Sequence, residues 1–173
     1  MKNCFFLIVF LIFSSNNIVM ANANIVFLDM DKILSTTKPG LSILKQLKDL
    51  NDKNLKYVQN EEKILKNKEK KIIAQKNIIS TEEYNSRAEK LKLEINEYNE
   101  NKKKIIINFN KLKIDNKNKL LKMINQILTK YSDEKSISII LQKKHLIIGK
   151  TELDITDEII MIINNDINTF KIK

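Results

Sequence analysis

The stretch Ile79-Ser-Thr-Glu-Glu83 lies near the middle of a 91-residue segment, 41–131, that contains no glycine and no proline. In a helix interior each glycine costs about 1 kcal/mol and each proline about 3 kcal/mol relative to alanine. The absence of both therefore favours very long helices. Ser80 followed by Glu83 matches the capping box found at helix N-termini, which predicts that a new helix begins at this point.

The capping box divides the segment into an antiparallel hairpin. We predict a first helix from about Leu41 to Ile78 and a second from Thr81 to about Tyr131, with the tip near 79–81. At ~1.5 Å per residue these helices measure roughly 57 Å and 75 Å. Globular helices run about 8–20 residues, so this pattern indicates a coiled-coil-like arm, a name we keep for residues 41–131.

Apolar residues recur at seven-residue intervals along both predicted helices. The first helix shows them at 44, 58, 65, 72 and 79, with Asn51 as the one polar member of the series, and the second at 84, 91, 98, 105 and 112. Antiparallel pairing would bring Ile72 to Leu91, Leu65 to Tyr98 and Val58 to Ile105. A regular coiled coil has two such rows on each helix, so we expect a thin seam that thickens toward 105–131.

The positive charge of the chain belongs to the arm. Residues 41–131 carry 21 lysines and Arg87 against 12 acidic residues, a surplus of ten charges, whereas residues 24–40 and 132–173 are nearly balanced. A solvated face is the simplest explanation for any single lysine, but the surplus as a whole would attract acidic partners. The candidate binding surface of the arm comprises Lys66, Lys68, Lys70, Lys71, Ile73, Ile78, Ile79 and Arg87.

The two ends of the chain predict a small β-rich head. Residues 24–40 should hold a buried strand at Ile25–Leu28 and a short helix. Residues 132–173 should hold a strand pair, 136–141 with 145–148, followed by a helix from Asp157 to about Asn165. Such a head is too slight to be stable alone, which predicts oligomerisation. The candidate oligomerisation residues are Ile25, Val26, Phe27, Leu28, Ile137, Ile139 and Leu141.

The N-terminus has the pattern of a secretory signal peptide, residues 1–23. Lys2 precedes an apolar run of ten residues, Cys4 to Phe13, and Ala21-Asn-Ala23 suits cleavage after Ala23 or Ala21. The run is shorter than the ~20 residues that a membrane-spanning helix needs. Cys4 is the only cysteine, so the processed chain would have neither disulfides nor a thiol nucleophile.

Enzymatic and nucleic-acid-binding functions have little support. His145 is the only histidine, and carboxylate pairs such as Glu61-Glu62 are adjacent in sequence, so they diverge on a helix. We predict no catalytic residue, no metal and no cofactor. A basic coiled coil could bind nucleic acid, but export would separate it from the nucleoid.

The order of these elements resembles the OmpH/Skp family of periplasmic chaperones. The matching segments are Asn24–Met30, Ile137–Leu141, His145–Ile148 and Asp154–Ile160. The resemblance implies an α+β, mainly α fold in which three heads join and three arms enclose a cavity, as in a jellyfish. It also implies a homotrimeric, ATP-independent holdase for unfolded outer-membrane proteins.

Two further expectations concern partners and alternatives. The resemblance implies that a basic cluster on the arms could bind anionic lipid or lipopolysaccharide. The alternative function is a structural coiled-coil scaffold or spacer of the cell envelope, which would use the same helices without holding other proteins.

Overall fold

The computed structural model describes residues 23–172. The predicted signal peptide, apart from Ala23, lies outside the described residues. The elements in chain order are β1 (Ile25–Leu28), α1 (Met30–Thr36), α2 (Lys38–Ala74), α3 (Thr81–Glu134), β2 (Ile139–Gln142), two 3-10 turns (Lys143–His145 and Thr151–Leu153) and α4 (Thr156–Asp166). Two long helices with a small sheet confirm the predicted fold class. Among the described residues, no helix combines the length and hydrophobicity needed to cross a membrane.

Helix α2 begins at Lys38, three residues before the expected start. The Thr37 side chain caps it by accepting a hydrogen bond from the Gly40 N–H at 3.4 Å. Pro39 fits because the first turn of a helix needs no intrahelical N–H donor. A Cβ atom at position 40 would lie 2.0 Å from the carbonyl oxygen of Leu34, so only glycine permits this close approach of α1 and α2.

A short turn separates α2 from α3 at the tip of the hairpin, so the second helix does not follow the first directly. Helix α2 ends at Ala74, four residues earlier than expected, and the chain reverses through 75–80. The Ser80 side chain accepts a hydrogen bond from the Glu83 N–H at 3.2 Å, which confirms the predicted cap. The Glu83 carboxylate pairs with Arg87.

A residue in the left-handed conformation follows the C-terminus of helix α3. Ser136 has φ of 52°, and the Ile137 N–H donates to the Ser132 carbonyl at 2.9 Å, the arrangement of a Schellman motif. Glycine is the usual residue at such a position because it has no Cβ. The turn sends the chain from α3 directly into β2.

The predicted strand hairpin at 136–148 is wrong. Strand β2 instead pairs in parallel with β1, with Ile25 opposite Ile139 and Leu28 opposite Gln142. A 3-10 turn at Lys143–His145 follows β2, and 146–148 is not a strand. The second edge of β1 is occupied by 154–155, where the Ile155 N–H donates to the Phe27 carbonyl at 2.9 Å.

The hydrophobic core lies where the head meets the base of the arm. Ile33 of α1, Ile124 of α3, and Ile159 and Ile163 of α4 are fully buried there. The C-terminal tail closes the core: Phe170 is buried, and the Gln46 side chain bonds the Phe170 carbonyl at 2.6 Å and the Ile172 N–H at 3.2 Å. The core therefore joins the two ends of the chain to the arm.

A hydrogen bond also joins α3 to α4. The Tyr131 hydroxyl donates to the Glu158 carboxylate at 2.6 Å. Burial, reinforced by this bond and by the negative charge of Glu158, raises the pKa of Tyr131 to about 12. A raised folded-state pKa stabilises the fold below the unfolded pKa of ~10, and this contribution is lost as the pH rises toward 12.

Replacement of Ile163 by alanine should strongly destabilise the head. Deleting a fully buried isoleucine side chain typically costs about 2–5 kcal/mol. Met161→Ala on the same helix is the matched control, because Met161 is 61% exposed and should lose less than ~1 kcal/mol. Urea unfolding followed by circular dichroism measures both. Equal losses would mean that α4 does not pack as described.

Candidate functional site

The seam of the arm contains a polar row as well as the predicted apolar row. Val58, Leu65 and Ile72 are half-buried, as expected, and Leu65 lines the same surface hollow as Tyr98. Val58 and Ile105 likewise line one groove, which confirms the predicted register. The half-buried polar residues on the same side of α2 are Asn51, which interrupts the apolar row, and Asn54, Glu61 and Gln75, which lie beside it.

The base of the seam differs from the predicted pattern. Leu44, expected in the apolar row, is 52% exposed, whereas Ile43 and Leu47 are buried against α3 and the head. The early start of α2 and its packing against α1 determine which face of the helix is covered. A seven-residue pattern taken from the middle of the arm therefore does not extend to its base.

Three of the candidate arm residues, Lys68, Arg87 and Ile79, lie beside the seam or at the turn that ends it. The Lys68 ammonium contacts the Glu94 carboxylate of α3 at 2.7 Å. The Arg87 guanidinium bonds the side chains of Gln75 and Glu83 and thereby ties the end of α2 to the start of α3. Ile79 is half-buried near the same turn. Lys68 and Arg87 therefore link the two helices near the end of the arm.

The other five candidates are exposed side chains near the end of the arm, which we name together the tip patch: Lys66, Lys70, Lys71, Ile73 and Ile78. Lys66, Lys70 and Ile73 share one helix face because they are four and three residues apart. Ile73 is 58% exposed and Ile78 79% exposed. The patch therefore combines free positive charge with accessible apolar surface.

A second surface, the mid-arm groove, was not among the sequence-based candidates. It has a volume of about 210 Å³ and lies between Leu55 of α2 and Ile106 of α3. Both side chains are about half exposed, at 50% and 53%. Asn51 and Asn54, at successive seam positions, form part of its lining. That pair of asparagines is the sequence signal that could have indicated a gap.

The candidate oligomerisation residues separate into two groups. Val26, Phe27 and Leu28 are buried within the protomer, so they support the sheet from inside. The accessible members are Ile25, Ile139 and Leu141, exposed by 40%, 46% and 39%, while Ile137 is half-buried. Only this second group presents apolar surface to another molecule.

The edge of β2 adjoins more exposed apolar surface. Within the described chain β2 pairs only with β1, so one of its edges lies open. Ile147 and Ile148, just beyond the 3-10 turn, are 104% and 90% exposed. An unpaired strand edge beside exposed isoleucines is typical of a surface that pairs with another strand.

Charged groups fix the turn that follows β2. The Lys143 ammonium contacts the Asp154 carboxylate at 2.7 Å, and Asp154 also accepts a hydrogen bond from the Thr156 N–H at 3.0 Å. Burial alone would raise the pKa of Asp154, but these hydrogen bonds outweigh it and lower the pKa. The hydrogen bond to Asp154 raises the pKa of Lys143. The ion pair therefore persists at neutral pH.

In the part of the chain that the structure describes, no group of three or more His, Cys, Asp or Glu side chains could hold a metal ion. His145 is exposed within the 3-10 turn after β2.

The comparisons with known proteins agree with this architecture. A search of curated proteins found no match. A solved structure from Caulobacter crescentus CB15, described as a candidate outer membrane chaperone (OmpH-like), superposes with a TM-score of 0.82 at 15% sequence identity. The alignment covers 88% of this chain and 90% of that one, and at this identity it shows the fold alone. The family model for outer membrane protein (OmpH-like) matches residues 24–163. The chain therefore belongs to the OmpH-like family.

Proposed function

We propose that this protein is an ATP-independent holdase chaperone of the periplasm that keeps unfolded outer-membrane proteins from aggregating. The observation that carries the proposal is the arm, which exposes separated apolar side chains within a strongly positive surface. Family membership and the signal-peptide pattern support a role in the cell envelope. In this proposal the protein is not an enzyme and needs no cofactor.

The arm has the properties that an adaptable binding surface requires. Large apolar side chains are exposed along its length, among them Leu55, Ile73, Ile78, Leu93 and Ile106. Single exposed apolar residues give weak, short-lived contacts, and the surplus of ten positive charges raises the local concentration of acidic chains. Many weak contacts suit clients that have no fixed shape.

A trimer would turn the separate arms into a container. The open edge of β2 and the exposed Ile139 and Leu141 support assembly through the head. Three arms projecting from one head could surround a client without a deep pocket in any single arm. The same basic surface would also suit anionic lipid or lipopolysaccharide as a second partner.

The alternative, a passive scaffold or spacer, accounts less well for the arm. A spacer gains nothing from exposed isoleucines such as Ile73 and Ile78, because isolated apolar surface in water promotes association. A spacer would also not prevent the aggregation of other proteins. Measuring the ability to hold an unfolded client therefore distinguishes the two functions.

Removing the outer arm should abolish holding and leave the head intact. Residues 56–104 are replaced by a short glycine-containing turn, which keeps Leu47, Leu112, Leu120 and Ile124 at the base of the arm. Light scattering from a diluted, urea-unfolded β-barrel protein should then rise to the level without chaperone. A control lacking one heptad from each helix, 60–66 and 97–103, keeps the register and should retain partial activity. Full protection by the truncated protein would place the function in the head.

The proposed assembly predicts three times the protomer mass for residues 24–173 in sedimentation equilibrium. Ile139→Asp should dissociate the assembly, because burying an unpaired charge at an interface costs several kcal/mol, about 3 or more. Ile114→Asp on the arm, where Ile114 is 57% exposed, is the matched control and should leave the mass unchanged. A wild-type monomer at micromolar concentration would contradict the proposal.

Charge on the tip patch should govern the rate of client capture. Replacing Lys66, Lys70 and Lys71 by glutamine should slow association with an unfolded acidic client and reduce its salt dependence, because screening acts over ~10 Å at 0.1 M salt and ~3 Å at 1 M. Lys68 is left unchanged because it pairs with Glu94 across the seam.

The control for this experiment removes the same charge from the head, through Lys144→Gln, Lys150→Gln and Lys171→Gln. Stopped-flow association rates at both salt concentrations compare the two triple variants. If both variants slowed association equally, only the net charge of the protein would matter. If neither slowed it, the lysines would contribute to solubility and not to client capture.

A further inference from the structure

We infer that the mid-arm groove is a discrete subsite that holds one aromatic side chain of an unfolded polypeptide, next to an acidic residue of that polypeptide. This inference rests on the proposed function and adds to it a place and a preferred client chemistry. The groove lies between Leu55 and Val58 of α2 and Ile106 and Phe109 of α3, with Lys102 at its margin.

The composition of the seam explains why a groove forms here. Asn51 and Asn54 occupy successive seam positions, and both are half-buried. Their short amide side chains take the place of the leucine or isoleucine that would normally fill the space between the helices. The apolar side chains that flank this gap, Leu55 and Ile106, are about half exposed.

The size of the groove favours a single side chain. Its volume of about 210 Å³ is smaller than the ~300–1,000 Å³ typical of small-molecule and cofactor sites. An aromatic side chain buries roughly 150–250 Å² and gains most from an apolar wall of this kind. The open walls also allow the ring to enter from an extended chain without any rearrangement of the arm.

Charge determines which macromolecule supplies the side chain. The Lys102 ammonium lies 5.7 Å from the Tyr98 ring centroid, beside the groove, and Lys103 and Lys104 follow on the same helix. The arm of a second copy would bring another surplus of ten positive charges to this place and would be repelled. An unfolded acidic polypeptide is attracted to it instead.

The chain offers a clean spectroscopic test because it contains no tryptophan. The probe is a twelve-residue peptide with one tryptophan between two aspartates, titrated with the full processed protein while indole emission is followed. The emission should shift to the blue as the ring enters the groove. A peptide with lysines in place of the aspartates should bind roughly tenfold more weakly, because like charges repel.

Two neighbouring isoleucines provide a matched pair of variants. Ile106 lines the groove and Ile107 does not, yet their exposures are similar, at 53% and 56%. Ile106→Gln should weaken peptide binding by roughly five- to tenfold, whereas Ile107→Gln should change it less than about twofold. Lys102→Gln should weaken binding of the acidic peptide more than Lys103→Gln.

The outcomes separate this inference from the proposed function. If Ile106→Gln and Ile107→Gln had equal effects while the wild type still suppressed aggregation of an unfolded β-barrel protein, the inference about the groove alone would be overturned. If the wild type neither bound the peptide nor suppressed aggregation, the proposed function would be overturned as well. Binding of phosphatidylglycerol vesicles that depends on Ile106, without peptide binding, would assign the groove to lipid and overturn the inference.

Discussion

The seam between α2 and α3 is the interaction on which the shape of this protein depends. Two helices of 37 and 54 residues extend far beyond the core, and only side chains along one stripe of each hold them together. About half of the α2 positions along the stripe that faces α3 are polar, including Asn54, Glu61 and Lys68. Polar seam positions reduce stability but specify register, so the arm is accurately aligned without being strongly stabilised.

Local sequence was sufficient to predict the helices but not the pairing of the strands. The absence of glycine and proline and the cap at Ser80 are properties of adjacent residues, and the structure has both long helices with the second beginning at Thr81. The partner of a strand is a tertiary property. The alternating pattern at 136–141 fits a hairpin and a parallel pair equally well, and in the structure β2 pairs with β1. The start of α2 was misplaced for the same reason, because Gly40 acts through its contact with α1.

The candidate surfaces show the same limit at the level of single side chains. Charge counting places the positive surplus on the arm, but it cannot tell that Lys68 faces Glu94 while Lys66 faces solvent. That distinction depends on which face of α2 packs against α3 near the tip. The mid-arm groove was missed because it forms where the short side chains of Asn51 and Asn54 leave space between the helices. A search for chemically functional groups does not detect an unfilled space.

The parallel pairing of β1 with β2 has a consequence for the order of folding. Asp29 donates its N–H to Thr156, which follows 127 residues later in the chain, so the head is made from the first and last parts of the sequence. The arm contains mainly local contacts, which form quickly, whereas closing so long a loop is entropically costly. Zipping of the arm from its tip brings the two ends of the chain together and reduces that cost. We therefore expect folding to start at the tip of the arm and the head to complete last.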